Sequence, residues 1–149
     1  MNRNSSAFKF HKLQAGIGLI EVLVTVIVLA VGLLGLSALQ IVSLKNNQSA
    51  MERSMAVVQS YAVIEAIRAD TGSAELGLFN IGLNESPGTG SFPNSVLTSW
   101  RNQLTQSLGE AATGSVSCDV KKCTITVQWD DSKGSEGIAT EQIVTEVLL

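Results

Sequence analysis

Residues Val22–Leu39 read VLVTVIVLAVGLLGLSAL, 18 residues without a charge, and Gln40–Leu44 carries the uncharged stretch on to Lys45. A bilayer core of about 30 Å is crossed by about 20 apolar residues in a helix. The run meets that length, with Glu21 at its N-terminal edge. Inside a soluble protein, a helix apolar on every side needs a large core around it, and the remaining ~105 residues supply too little. A membrane-spanning helix is therefore expected.

The whole chain has 149 residues, enough for one domain. Only 15% are charged, against about 25% in an ordinary soluble domain. The net charge of −3 excludes a general nucleic-acid binder held by basic charge. His11 is the one histidine, and Cys118 and Cys123 are the two cysteines. A Ser-His-Asp triad or a four-ligand zinc site has almost no raw material. No catalytic residue, metal site or cofactor is expected, and the chain does not read as an enzyme.

Charge is distributed unevenly. Met1–Gly16 holds Arg3, Lys9 and Lys12 and no acid. The rest holds seven bases against 13 acids, a side-chain charge of −6. A basic flank stays cytoplasmic, which puts the N-terminus inside and the bulk of the chain outside. The apolar run is longer than the 7–15 residues or so of a secretory signal, and no A-x-A-like site closes it. Cleavage after the run is therefore not expected.

The join reads Gln14-Ala15-Gly16-Ile17-Gly18-Leu19-Ile20-Glu21-Val22-Leu23-Val24. It resembles the class III signal of type IV prepilins and pseudopilins. In that family a prepilin peptidase cuts after a glycine that ends a short basic leader, and methylates the new amine. The resemblance implies a cut between Gly16 and Ile17, an N-methylated Ile17, and Glu21 as the fifth-position glutamate. Ile17 replaces the usual Phe, and Gly18 the usual Thr.

Electrostatics gives Glu21 a role of its own. A carboxylate at the centre of a membrane helix costs about 2.5–3.5 kcal/mol, less at the edge. A chain starting at Ile17 supplies an α-amine that is mostly cationic at neutral pH. Ile17 and Glu21 stand at i,i+4, so the pair can close within one helix. Alternatively, as the family implies, Glu21 takes the amine of a neighbouring subunit. A glutamate merely favoured by the helix dipole is the third reading.

Beyond the apolar run, Lys45–Thr71 has no Pro or Gly. Ile17–Thr71 is expected as one helix of about 55 residues, roughly 80 Å long. Met51, Met55, Val58 and Ala62, with Val57, Tyr61 and Ile64 beside them, form an apolar face expected to be core for the head. Gly32 and Gly35 weaken the apolar half, in a GxxG spacing that is not the GxxxG dimer motif.

Thr71–Asn94 is rich in Gly and Pro and is expected to be irregular, and its GTGSF lacks the lysine of a phosphate loop. The next element is a short helix capped by Asn94 or Ser95, with Leu97, Trp100, Leu104 and Leu108 on one face and Gly109 at its end. Strands are expected at Ser115–Cys118, Cys123–Trp129 and Thr140–Leu149. The fold class is α+β and pilin-like: a long N-terminal helix, its first half transmembrane, packed by a small antiparallel sheet. The segments are a leader at 1–16, a transmembrane and assembly half at 17–44, an amphipathic half at 45–71 and a head at 72–149. Cys118 and Cys123 flank the Asp119–Lys122 turn. Outside the membrane they read as a disulfide, with free thiols or a metal pair as the alternative. Asp130, Asp131 and Glu136 do not have EF-hand spacing and read as a solvated turn.

The helix, the Trp100 segment, VQWDD and the last strand together resemble PilV-like minor pilins of the type IV pilus. That resemblance implies a subunit that primes assembly and sits near the tip. Its partners would be prepilin peptidase, other minor pilins, the major pilin and a tip adhesin. It would lie first in the inner membrane by a single pass, head periplasmic, then in the pilus. A minor pseudopilin of type II secretion shares the LIEVLV start. A membrane-anchored periplasmic enzyme is the alternative of another class.

Overall fold

The computed structural model describes residues 16–149. All of the basic leader except Gly16 lies outside the described residues. Internal contacts divide the chain at Leu39/Gln40.

Helix α1 spans Leu19–Ala69. It begins two residues after the expected start, because the Gly18 carbonyl takes the Glu21 and Val22 amides and so closes the first turn. It ends two residues before the expected end. Asp70 leaves helical geometry (φ −141°, ψ 66°), and its carboxylate accepts from the Ser73 amide to cap a second helix, α2, Thr71–Glu75. The expected irregular segment therefore opens with a helical turn.

Up to Leu39, α1 is exposed on every side. In the second unit, α1 buries Ala56, Ser60, Val63, Ile64 and Ile67, one stripe at helical spacing. The expected apolar face is overturned except at Ile64 and, partly, Met55. Met51, Val58 and Tyr61 are 64%, 58% and 58% exposed. The small residues Ala56 and Ser60 lie on the buried side, whereas the bulkier Met51, Val58 and Tyr61 lie on the opposite side of α1.

Helix α3 spans Phe92–Leu108 and starts earlier than expected. Ser91 is the cap, its hydroxyl accepting from the Asn94 amide at 3.3 Å. Pro93 fits inside the first turn, where its missing N–H costs nothing. Leu97, Trp100, Leu104 and Leu108 are buried as expected, and Gly109 ends the helix with φ +100°, a conformation suited to glycine.

Strands β1 (Thr113–Cys118), β2 (Lys122–Trp129) and β3 (Glu141–Leu148) form one antiparallel sheet in the order β1-β2-β3. The fold is thus α+β, with a long apolar N-terminal helix and a three-stranded head sheet. The turn between β1 and β2 is held by Asp119, whose carboxylate accepts the Lys121 and Lys122 amides, both at 2.9 Å. Those bonds keep its carboxyl below the usual range.

Trp100 joins three elements. Its indole N–H donates to the Gln59 carbonyl of α1 at 2.9 Å. A Cβ at Gly114 in β1 would strike its ring, so the glycine is what lets the indole lie on the sheet. Val63, Ile64 and Ile67 of α1, with Ile125, Val127 and Trp129 of β2, belong to the same core.

Cys118 and Cys123 are joined by a disulfide across the hairpin, with Cα atoms 4.0 Å apart. Closing so short a loop contributes about 2 kcal/mol by the chain-entropy estimate. Reduction of the full chain in detergent is expected to lower its unfolding free energy by that amount. The check is the denaturant midpoint with and without reductant.

Candidate functional site

Gly16, Ile17 and Gly18 stand ahead of α1, outside any helix, and all three are exposed. Ile17 is 78% exposed. A peptidase must draw backbone into its own site, and the Gly16–Ile17 bond lies in backbone that no helix holds. The glycines on both sides of Ile17 come from the sequence itself and disfavour an earlier helix start.

Glu21 falls in the first turn of α1. There its charge complements the unpaired amides of the helix N-terminus. In the full chain Ile17 precedes the first helical residue, and its nitrogen is an amide rather than an amine. The intrahelical Ile17–Glu21 pair is therefore not assembled in this state. Among the described residues Glu21 has no ion-pair partner.

Beyond Glu21 the helix carries no charge as far as Leu44, and the hydroxyls of Thr25 and Ser37 donate to the Val22 and Leu33 carbonyls of their own helix. The best 18-residue window of α1 has a mean hydropathy of 2.8, and none of it is buried within the chain. By length and composition it can cross a membrane.

Sequence reasoning missed two features of the second unit. One is the exposed stripe of Met51, Val58 and Tyr61. The signal was available: small Ala56 and Ser60 at a spacing of four mark a face for close packing. The other is Asp131, expected in a solvated turn but only 4% exposed. Its carboxylate accepts from the Ser49 hydroxyl of α1 at 2.7 Å. Nearby, Ser135 bonds Asn46, and Arg53 pairs with Glu141 at 2.8 Å. The β2–β3 loop and the first residue of β3 are thus clasped to α1 at residues 46–53. Asp130 turns instead to the Ser132 amide, at 2.9 Å. Among the described residues no three His, Cys, Asp or Glu side chains converge on a metal position.

The stretch from residue 11 to residue 37 matches the family described as the prokaryotic N-terminal methylation motif. The chain carries that motif. The methylation motif takes in Gly16, Ile17 and Glu21 and much of the apolar run, and it leaves the head outside. It supports a prepilin-like protein, a type IV pilin or pseudopilin. It also implies processing by prepilin peptidase, membrane anchoring by the apolar helix, and a structural subunit assembling with other pilins. No curated protein and no solved structure matches the chain.

Proposed function

We propose that the chain is a minor pilin of the type IV pilus, PilV-like, cut between Gly16 and Ile17 and methylated on Ile17. The methylation motif over residues 11–37 carries this reading. The minor-pilin assignment adds the resemblance of the apolar helix, the Trp100 helix and the VQWDD strand end.

The segments then divide the work. The leader at 1–16 is removed. Residues 17–44 hold the subunit in the inner membrane and later pack among the helices of the filament. Residues 45–71 give the head one core face and keep Met51, Val58 and Tyr61 outward for neighbouring helices. The head at 72–149 lies in the periplasm and meets other minor pilins, the major pilin and a tip adhesin. Glu21 accepts the methylated amine of a neighbour once the helix is surrounded by apolar partners.

N-terminal sequencing of the protein extracted from membranes is expected to begin at Ile17, methylated. A start at Met1 overturns the proposal. Deleting the gene is expected to remove surface piliation and twitching while leaving exoprotein release intact. The opposite pair of losses assigns the chain to type II secretion instead.

A further inference from the structure

The β2–β3 loop and α1 line an open cavity of about 470 Å³. The loop side is held in one shape. The Asp131 amide donates to the Ile138 carbonyl, and the Gly134 amide to the Asp131 carbonyl. A Cβ on Gly137 would strike that same carbonyl, so the loop closes this tightly only on glycine. The lining carries charges of both signs that lack full partners. Asp131 is 4% exposed, and among the described residues only its Oδ2 has a donor, the Ser49 hydroxyl. A buried carboxylate short of donors favours a cationic one. Glu136, on the same loop, has no ion pair among the described residues. On the α1 side, Arg53 gives one nitrogen to Glu141 and keeps its other N–H groups free. The Asn46 side-chain nitrogen and the backbone amides of Ser135, Glu136 and Gly137 donate to nothing among the described residues. Successive free amides of this kind attract anions.

Chain position sets the depth of this cavity. The uncharged stretch ends at Leu44, and Asn46 and Ser49 follow two and five residues later on the same helix. At about 1.5 Å per residue they stand about 3 and 8 Å past its end. The polar layer on each side of a hydrocarbon core is about 5–7 Å thick. With the apolar run in a bilayer, the Asn46 and Ser49 end of the cavity lies among lipid headgroups.

We propose that the cavity binds the zwitterionic phosphoethanolamine headgroup of a membrane lipid. Arg53 and the free amides take its phosphate, and Asp131 and Glu136 take its ammonium. A free phosphate would leave the two acids without a cation. A glycerol headgroup, anionic overall, would bring a second negative charge to them. A choline headgroup carries the right charges but no N–H, and so cannot make the charge-assisted hydrogen bonds that two carboxylates offer. The cavity therefore selects a primary amine joined to a phosphodiester. A lipid so held bridges the loop and α1 beside the Ser49–Asp131 and Arg53–Glu141 contacts. The inference rests on the apolar run lying in a membrane and is independent of the minor-pilin assignment.

The test is native mass spectrometry of the full chain in detergent micelles carrying phosphatidylethanolamine, phosphatidylcholine or phosphatidylglycerol with the same acyl chains. One phosphatidylethanolamine is expected to be retained roughly tenfold better than either other lipid, the effect of one hydrogen bond to a charged group. Glu136→Gln and Arg53→Gln are each expected to abolish that preference. Glu136 is exposed and unpaired among the described residues, so the melting midpoint of Glu136→Gln should hold. Glu141→Gln breaks the Arg53 pair but lies outside the cavity lining, and is expected to keep the preference. Inorganic phosphate in excess is expected to leave the lipid in place. Equal retention of the three lipids overturns the proposal, as does a preference for the anionic lipid or displacement by phosphate. A preference that survives both Glu136→Gln and Arg53→Gln in folded protein overturns it too. Carbonate washing of native membranes separates the two readings. A chain washed off overturns the membrane reading and the proposal together, whereas a chain that stays but shows no preference overturns the proposal alone.

Discussion

Glu21→Ala is expected to yield a subunit that is cleaved and inserted but absent from filaments. The proposed cut, between Gly16 and Ile17, lies ahead of α1 in backbone that the Glu21 side chain does not hold. Processing should therefore proceed. The loss comes afterwards, when the apolar helix exchanges lipid for neighbouring helices. Removing one partner of a buried ion pair costs about 3–5 kcal/mol, because the other charge stays desolvated and alone. At that cost incorporation falls by two orders of magnitude or more, roughly. Glu21→Asp keeps the charge but shortens the reach, and should be intermediate. The measurement is the subunit's abundance in sheared filaments relative to its processed pool in membranes. Normal incorporation of a correctly cut Glu21→Ala subunit would refute the intersubunit pair and leave the helix-dipole role.

Trp100→Ala is expected to have the largest effect on the head. The indole is 3% exposed and touches α1 and β1 from α3. Truncating a buried Trp typically costs about 3–5 kcal/mol. A domain is stable by only about 5–15 kcal/mol in all. The variant should unfold at markedly lower denaturant and be degraded in cells. Trp100→Phe keeps most of the ring and loses the bond to the Gln59 carbonyl, which stays in the backbone ladder of α1, at a smaller cost of about 1 kcal/mol. Denaturant midpoints of the two variants in detergent check the order. If Trp100→Ala melts like the parent, the ring is not the joint between the three elements.

Patterns with one dominant cause were legible before the structure. The apolar run admitted one reading, and the alternation of Cys123, Ile125, Val127 and Trp129 marked β2 and its buried face. The α3 face at Leu97, Trp100, Leu104 and Leu108 was equally plain. The second half of α1 was not, because it is apolar on two sides. Periodicity detects a stripe and does not say which neighbour covers it. Ala56 and Ser60 win the head side through smallness, which a hydrophobicity pattern scores below Met51 and Val58. Asp131 escaped for another reason: its burial depends on Ser49, far away in sequence, and no local signal reports that bond. At the junction, the helix start at Leu19 required the Gly18 carbonyl to be seen accepting.

The clasp and the core share a consequence for biosynthesis. Ser49, Arg53, Val63 and Ile67 leave the ribosome long before Trp100, Trp129, Asp131 and Glu141, the groups that cover or bond them. Non-local partners of this kind are slow to find each other, because loop closure must precede the contact. During synthesis the second half of α1 therefore presents both of its apolar faces at once, and only after the sheet is made does one of them close. A nascent chain in that interval is the form most exposed to chaperones and proteases, and the arrival of β3 marks its end.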